Sequence, residues 1–518
     1  MNHEGIQYKI IKSKHGFDTI IVTSKGREMP LHSKVNPEHE FRSFVDKFDP
    51  GRFDVLIVLG IGLGYHLIPL PEYLNRYSRI ILIDILSGID EAIGKNPLTS
   101  FLLKSARITF VSGKTIEEAV AIVSEIIDMN GLRGISVLEH PASTRIFHDY
   151  YGSIKNSIEK QINRMAGNRA TKKAFGALYL RNILKNIALL DDFKPVEHLF
   201  GAFKKYPAVI IAPGPCLERD IQNIKKHEHG FFIVSVDSAL PVLNGYGIPP
   251  DIVISIDPQP YVCEHFLNCD TGHAIGIVSL SSHPGVLKRL PGYISLNSHP
   301  LSQFASRVYG DSIGSVDSGT GSVAGDAVKL CLKCGFSSIG LAGLDLSFSD
   351  YKIYSRGTAY QKRYSVYFQD RLSTVESYNC RYILHASKGL RREGKYTRKS
   401  FLQYRESLEN FVKSSGADNI LALNDCGIAL SGIRITSLEE FAAVECKSAI
   451  DKKSIISSLL RDSRLLESGP MISGLDEILH DRLFDELIAA SLSGPVDEKT
   501  KSRYRKMIES LHQGQPGE

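Results

Sequence analysis

A series of short apolar stretches, each followed at once by a polar or glycine-rich turn, most restricts what this 518-residue chain can fold into. The first, residues 207–212, ends in such a turn and leads into a helix-forming stretch at 217–224. A buried strand, a tight turn and a helix begin an open α/β sheet, in which ligands bind beyond the carboxyl ends of the strands. Similar stretches follow at 231–236, 251–256, 274–280 and 338–342. The sequence therefore predicts a sheet within residues 206–350, with a binding crevice at its strand ends.

The turns after these stretches supply the candidate site residues. Gly214 lies between two prolines, and its missing side chain lets backbone N–H groups at a helix start approach an anion. Asp237 and Asp257 end neighbouring strands, where carboxylates bind ribose or Mg²⁺, act as a general base, or simply cap a turn. The loop at 318–322 offers hydroxyls and amides to a carboxylate or phosphate. The candidate binding residues are Pro213, Gly214, Pro215, Cys216, Asp237, Ser238, Gln259, Ser281, Ser318, Gly319, Thr320, Gly321, Ser322 and Gly343, and the candidate catalytic residues are Asp257, His283 and Asp345.

A second nucleotide-type pattern lies nearer the N-terminus. Strand-forming residues 54–59 run into a GxGxG turn at 60–64, and residues 79–83 end at Asp84. This layout is typical of nucleotide or S-adenosylmethionine sites, but the same glycines also serve only to allow a tight turn. We expect this region to be a scaffold, with further strands at 108–111 and 134–139.

The chain order predicts five parts. They are a small, partly β segment at 1–50 with strands at 8–11 and 19–23, a Rossmann-like domain at 51–148, a pair of linker helices at 149–199, a central catalytic Rossmann-like domain at 200–385 and a mostly helical region at 386–518. In the linker, Asn182 and Asn186 share a helix face, which favours packing contacts over a reach into the crevice. The basic stretch 384–398, with Lys399 adjacent, is either a solvated loop or a clamp for an anionic donor or an acceptor protein.

Composition narrows the class of protein. A formal net charge of +5 is close to balanced and indicates no general nucleic-acid or membrane role. The N-terminal stretch lacks a signal-peptide core, and no apolar run approaches membrane-spanning length. The eight cysteines form no framework pattern, which suits a reducing compartment, and Cys331 and Cys334 are interpreted as packing residues of a helix. We therefore expect a cytoplasmic protein, whose oligomeric state the sequence leaves open.

These motifs together carry a family resemblance. PAVIIAPGPCLE, VDSALPVLNGYGIPPDIVISIDPQ, SGTGSVAGDAV and IGLAGLDLSFSD resemble the central domain of the motility accessory factor (Maf) family of flagellin glycosyltransferases. GIGLGYHL, NILKNI, LRREGKYTRKSFLQYRESLE and NILALNDCGIALSGI resemble the family's other recurring segments. The resemblance implies transfer of a pseudaminic- or legionaminic-type nonulosonic acid from a CMP-activated donor to Ser or Thr of flagellin, in support of flagellar motility.

The resemblance also implies roles for individual segments. The central domain is similar to bacterial sialyltransferases, in which the turn resembling residues 213–216 holds CMP and a loop resembling 318–322 receives the sugar carboxylate. Two positions depart from the family pattern: Cys216 stands where serine is common, and Leu344 precedes Asp345 where glutamine is usual. A direct displacement would invert the anomeric centre.

Two alternatives stay open. The central domain also resembles archaeal 6-hydroxymethylpterin pyrophosphokinases, in which ATP and Mg²⁺ would occupy the crevice and acids such as Asp237 and Asp257 would hold the metal. A third interpretation is a non-catalytic flagellin-binding protein. The extra N-terminal domain and the helical tail favour the glycosyltransferase over so small a substrate as a pterin. The resemblance makes no cofactor certain besides the CMP-sugar donor, and a divalent metal remains open.

Overall fold

The computed structural model describes residues 6–24, 26–43, 53–72, 74, 77–129, 134–187, 189–297, 299, 302, 313–462, 488 and 496–512. The chain divides into two compact units, Met1–Ala170 and Thr171–Glu518. None of the helices within these ranges is both long and apolar enough to cross a bilayer.

The first unit contains two sheets. An antiparallel sheet joins β1 (Gln7–Lys12), β2 (Asp18–Ser24) and β3 (Arg27–Pro30). A parallel sheet in the order β6-β5-β4-β7 consists of β4 (Val55–Leu59), β5 (Arg79–Asp84), β6 (Ile108–Ser112) and β7 (Ile135–Glu139). The helices are α1 (Ile89–Lys95), α2 (Ile116–Met129), α3 (Pro141–Ile146) and the beginning of α4 (His148–Ile187). The strands predicted at 8–11, 19–23, 54–59, 79–83, 108–111 and 134–139 are confirmed.

The second unit is organised around one nine-stranded parallel sheet in the order β20-β19-β14-β9-β10-β11-β12-β13-β8. Its strands are β8 (Lys194–Pro195), β9 (Ala208–Ile211), β10 (Phe232–Val236), β11 (Ile252–Ser255), β12 (Ile275–Ser279), β13 (Gly292–Ser295), β14 (Ile339–Ala342), β19 (Ile420–Ala422) and β20 (Arg434–Ile435). Two short hairpins, β15 (Gln369–Asp370) with β16 (Ser373–Thr374) and β17 (Arg391–Arg392) with β18 (Lys395–Tyr396), lie outside it.

The helices of the second unit connect and cover these strands. They are α5 (Leu217–His227), α6 (Leu240–Gly245), α7 (Pro284–Leu287), α8 (Val323–Cys334), α9 (Ala359–Ser365), α10 (Val375–Ser387), α11 (Lys399–Ser415), α12 (Leu438–Glu445), α13 (Lys452–Asp462) and α14 (Glu498–His512).

The burial of the central strands explains their composition. Every residue of β9, β10, β11 and β12 is buried, and strands covered on both faces are continuous apolar runs rather than alternating ones. From β9 the chain adds strands outward to β13 on one side, and it then places β14 on the other side of β9. This reversal between β9 and β14 is a topological switch point, where open α/β sheets form a crevice at the carboxyl ends of their strands. The predicted α/β class is confirmed.

Several boundaries differ from the sequence prediction. The sheet takes β8 from the predicted linker and β19 and β20 from the region predicted to be mostly helical, so it extends beyond 200–385 in both directions. These strands are two or three residues long, too short to carry a readable periodicity. The predicted pair of linker helices is one continuous 40-residue helix, α4.

Candidate functional site

Two carboxylates lie together at the ends of the neighbouring strands β10 and β11. Asp237 is buried and accepts a hydrogen bond from Ser255 Oγ at 2.7 Å. Asp257 accepts one from the Tyr261 hydroxyl at 2.9 Å. Burial raises the pKa of Asp237, and the negative charge of Asp257 adds to this rise. The two acids therefore lie within electrostatic range of each other at adjacent strand ends, and their shared role at a binding crevice stays a prediction.

Four tyrosines that the sequence analysis did not single out surround these acids. Tyr179 on α4 lies close enough to Asp257 and to Asp317 for both charges to raise its pKa, after burial as the main cause. Burial, and to a lesser extent the charge of Asp237, raise the pKa of Tyr354. Tyr404 lies near enough to contribute to the raised pKa of both Tyr179 and Tyr354. Tyr261 completes the group through its bond to Asp257. Isolated tyrosines carry no spacing signal, so only the tertiary fold reveals them.

The serine- and glycine-rich loop forms the entry to α8. Ser322 caps the helix by accepting from Gly325 N at 3.1 Å, and Ser318 donates through N and Oγ to Asp326 Oδ1 at 2.7 and 2.5 Å. Burial raises the pKa of Asp326 to about 7. Inside the loop, Gly319 N donates to Asp317 Oδ1, Thr320 N donates to Ser318 Oγ, and Thr320 Oγ1 contacts both serine hydroxyls.

Among the described residues, the backbone N–H groups of Gly321 and Ser322 have no hydrogen-bond acceptor. A β-carbon on Gly321 would lie 3.5 Å from the Tyr404 ring, so this aromatic side chain borders the loop. Unpaired amides ahead of a helix bind anions well. The loop thus has two amides available for an anion, and its binding role stays a prediction.

The 213–216 turn does not offer the phosphate contacts that its sequence predicted. Gly214 N donates to Gly343 O and Cys216 N donates to Asp345 Oδ2, both at 2.8 Å. A β-carbon on Gly214 would lie 2.3 Å from Gly343 O and 2.6 Å from the Asp345 carboxyl carbon. The glycine is therefore required for close packing between the β9 and β14 turns, and two of the amides expected to bind phosphate are bonded within the protein. The remaining members of the turn, Pro213 and Pro215, carry no N–H to donate.

Asp345 is buried inside the protein and does not line an open surface. Burial raises its pKa to about 7. Cys216 forms a disulfide with Cys426, which follows β19. Cys216, predicted to bind the donor, and Asp345, predicted to be catalytic, thus lie at a packed junction of three loops, where each is bonded to another part of the protein.

His283 is less suited to act as a base than its strand-end position suggested. It caps α7, its Nδ1 accepts from Gly285 N at 3.2 Å, and it lies 3.2 Å from Cys263 Sγ. Burial lowers the pKa of His283, with help from the positive charges of Arg181 and Lys185. In this arrangement the neutral ring carries its proton on Nε2, so neither nitrogen is free to accept one from a substrate.

The remaining strand-end candidates shape the loops. Ser238 N donates to Asp237 and Gln259 N donates to Asp257, while Ser281 Oγ accepts from Asn297 Nδ2 at 2.6 Å. The linker asparagines also act here: Asn182 donates to the Pro258 and Ser281 carbonyls, and Asn186 to the Leu280 and Ser282 carbonyls. Both are fully buried. They hold the β11 and β12 loops in place, which is a packing role exerted directly at the crevice.

The glycine-rich turn of the first unit is occupied by the protein's own side chains. Asp84 accepts from Ile61 N and Gly62 N at 2.7 and 2.9 Å, and His32 Nε2 accepts from Leu63 N at 2.7 Å. These amides are the ones that a nucleotide phosphate would need. The occupied amides support the scaffold interpretation of this turn.

Two clusters of described residues have the composition of metal sites, and neither fits one. In His32, Glu40 and His140, His32 Nε2 accepts an amide, so its proton is on Nδ1 and donates to Glu40 at 2.7 Å. A metal on Nδ1 would require the opposite tautomer. In the second cluster, Cys216 and Cys426 beside Asp345, the disulfide leaves no thiolate to bind a metal.

Comparisons with known proteins found a matching family and a similar solved structure. Residues 181–351 match the family described as 6-hydroxymethylpterin diphosphokinase MptE-like. The structure of the MAf glycosyltransferase from Magnetospirillum magneticum AMB-1 is similar over 98% of this chain and 86% of that chain, with a TM-score of 0.59 and 14% sequence identity. The chain therefore resembles a Maf glycosyltransferase in fold, and its central region resembles MptE-like proteins, as the motifs predicted.

Curated relatives add sequence similarity without a described activity. Two uncharacterized proteins of Treponema pallidum (strain Nichols) are 39% identical over 85 residues and 32% identical over 206 residues. These matches cover 16% and 39% of this chain. They span 40% and 44% of the relatives' own lengths, less than half of each.

Proposed function

We propose that the protein is a glycosyltransferase that moves a nonulosonic acid from a CMP-activated donor to serine or threonine hydroxyls of flagellin. The observation that carries this proposal is that Tyr179 lies within electrostatic range of both Asp257 and Asp317, and Asp317 is tied to the 318–322 loop by accepting a hydrogen bond from Gly319 N. A carboxylate that can serve as a base and an amide-bearing loop that can hold an anion thus border one crevice. The likeness to the MAf glycosyltransferase and the motif resemblance support the same reaction class.

The proposed reaction divides the work between these two groups. The amides of Gly321 and Ser322 hold the sugar carboxylate, which fixes the anomeric carbon in the crevice. The bond from that carbon to the phosphate oxygen breaks with its electron pair moving to phosphate, which releases CMP. The acceptor oxygen bonds to the same carbon from the opposite face, and its proton passes to Asp257. This displacement inverts the anomeric centre.

Asp257 is the best-supported base. Its two carboxylate oxygens each accept one hydrogen bond, from Gln259 N and from Tyr261, so its orientation is held while lone pairs remain available. Pro258 follows it and restricts the backbone. Asp237 is more deeply buried, and burial raises its pKa.

A transfer assay tests the proposal. Purified flagellin is incubated with the protein and a CMP-nonulosonate, and the mass of flagellin is followed. Asp257→Ala should lower the rate by about 10²–10⁴-fold while circular dichroism stays unchanged, because a positioned base is lost. Normal transfer by Asp257→Ala together with lost transfer by His283→Ala would reassign the base to His283. Absence of transfer by the wild-type protein, despite nucleotide binding, would favour a flagellin-binding role.

The MptE-like match favours one second candidate, a pyrophosphokinase that uses ATP and Mg²⁺. Asp237 and Asp257 would then hold the metal through their remaining lone pairs. Calorimetric titration separates the two candidates, since the glycosyltransferase should bind CMP more tightly than ATP with or without Mg²⁺. Tighter binding of Mg²⁺–ATP, with transfer of diphosphate to a hydroxymethylpterin, would replace the first proposal by the second.

The proposal keeps the cytoplasmic localisation that the composition and the scattered cysteines predict. The Cys216–Cys426 disulfide is uncommon in such a compartment. Cell fractionation with an antibody to the protein checks this expectation, and recovery outside the cytoplasm would contradict it.

A further inference from the structure

An arginine precedes α11 at a position that usually carries a small polar residue. Arg398 is the N-cap of this 17-residue helix and makes no capping hydrogen bond, and Lys399 follows it with no acid in the first turn. Helix starts favour Ser, Thr, Asp or Asn at the cap and negative charge nearby. A cation here works against the helix dipole, so helix stability does not explain it.

Arg398 also lacks a counter-charge. Within the described part of the chain it forms no ion pair, and its buried Nε has no hydrogen-bond acceptor. Its guanidinium carbon lies 4.1 Å from the centre of the Phe401 ring, which shields one face from water. By contrast, Arg405 is paired with Glu393 and Glu409. A partly dehydrated guanidinium without an acceptor is suited to bind a planar or tetrahedral anion.

The surrounding contacts place Arg398 at the crevice. Thr397 Oγ1 donates to Leu346 O at 2.9 Å, so this segment lies along the residues that follow the end of β14. Further along, within α11, Tyr404 borders Gly321. Tyr354 lies within the electrostatic range of Arg398, Tyr404 and Asp237. Arg398 therefore belongs to a segment that contacts the residues after β14, and it precedes a helix whose Tyr404 borders the 318–322 loop.

A nucleotide phosphate in this crevice needs a positive partner, and the 213–216 turn provides few donors. Its Gly214 and Cys216 amides are bonded within the protein, and the buried Asp345 carboxylate adjoins it. We propose that Arg398 binds the phosphate of the donor nucleotide, an inference that rests on the proposed function. The guanidinium then stabilises the negative charge that builds up on phosphate as the bond to the sugar breaks.

Calorimetry with matched ligands tests this role. Wild type, Arg398→Gln, Arg398→Lys and Arg392→Gln are titrated with CMP and with cytidine, which differ only in the phosphate. Arg392 is the control because it is an exposed arginine of the same basic stretch. Loss of a charge-assisted pair should weaken CMP binding by Arg398→Gln at least about tenfold and leave cytidine binding unchanged. Arg398→Lys should recover part of the loss, and Arg392→Gln should bind CMP like wild type.

The outcomes separate this inference from the function on which it rests. Equal CMP affinity of wild type and Arg398→Gln overturns the role of Arg398 and leaves the glycosyltransferase proposal intact. Equal losses for CMP and cytidine also overturn it, since they indicate a structural effect. If wild type binds ATP instead of CMP, the donor proposal fails. Titrations with ATP and adenosine then test Arg398 in the same way: Arg398→Gln should weaken ATP binding and leave adenosine binding unchanged. If Arg398→Gln binds CMP like wild type but binds free N-acetylneuraminic acid at least about tenfold more weakly, the anion at Arg398 is the sugar carboxylate and the phosphate assignment is wrong.

Discussion

Single aspartates accept backbone amides of the 60–64 and 213–216 turns, which both had the sequence of a ligand-binding turn. Asp84 accepts two amides of the 60–64 turn, and Asp345 accepts the Cys216 amide of the 213–216 turn. Each carboxylate belongs to the end of a strand next to the one that precedes the turn. Both are buried, and burial raises the pKa of both. In each turn the protein's own carboxylate takes amides that a ligand phosphate would otherwise use.

Asp345 should make stability depend on pH. Its pKa of about 7 in the folded protein exceeds the ordinary value of 3.8, so the folded state binds the proton more tightly. This contribution to stability is complete below pH 3.8 and is lost as pH rises through about 7. The free energy of unfolding in urea should therefore fall between pH 5 and pH 8. The window follows from the direction of the shift.

Two substitutions isolate this effect. Asp345→Asn keeps an acceptor oxygen without the charge, so it should reduce the fall in stability between these two pH values. Asp418→Asn, at an exposed position, is the control and should leave the slope unchanged. A slope in Asp345→Asn equal to that of wild type would show that Asp345 does not titrate in this range.

At the scale of elements, the turn between β4 and β5 depends on a glycine. Gly62 has φ +52°, and a β-carbon there would lie 2.3 Å from His32 Nε2, the atom that accepts the Leu63 amide. A side chain would therefore strain the backbone and displace the imidazole. This turn is assembled from β4, β5 and the preceding 31–43 segment, so its integrity is a property of the first unit.

Gly62→Val should accordingly destabilise the protein without removing nucleotide binding. Backbone strain alone costs about 1–3 kcal/mol, and the displaced His32 hydrogen bond adds to it. Thermal unfolding followed by circular dichroism measures the loss, and CMP titration below the transition measures binding. Gly152→Ala is the control, because this glycine lies within α4 with nothing within 4 Å of the added carbon. A well-folded Gly62→Val protein that no longer binds CMP would assign the nucleotide to the first unit.

At the scale of the whole molecule, one covalent link joins distant parts of the chain. The Cys216–Cys426 disulfide connects residues 210 positions apart in sequence. It ties the β9 turn to the loop after β19, so a segment predicted to belong to a separate helical region is fastened to the central sheet. A link that closes so long a loop restricts the unfolded chain strongly.

The disulfide predicts the number of free thiols in the protein. Of eight cysteines, six are free, so thiol titration of the denatured, unreduced protein should give six thiols. Cys216→Ser should lower the free energy of unfolding by about 2–5 kcal/mol. Cys380→Ser, a free cysteine on α10, should have little effect. Eight reactive thiols in protein purified without reductant would show that the two cysteines are unlinked.

Local sequence patterns determined most of the fold. Runs such as 231–236 are apolar throughout because both faces of β10 are buried, and short runs followed by turns predicted the α/β class and the positions of Asp237 and Asp257. The helix start at Ser322 was equally readable, because a capping serine after glycines is a local signal. These features depend on neighbours within a few residues, which is what a sequence pattern records.

Only the tertiary structure decided which groups face the crevice and which are already occupied. The Cys216–Cys426 link, the Asp345–Cys216 bond and the approach of Tyr179 to Asp257 join residues 78 to 210 positions apart. The 213–216 turn has the composition of a phosphate site, yet packing of β14 against β9 supplies its amides with acceptors. Arg398 has the appearance of a solvated loop residue, yet the fold stacks it on Phe401 and gives it no acidic partner within the described part of the chain. Long-range packing determines hydrogen-bond partners and desolvation, and neither is encoded in local periodicity.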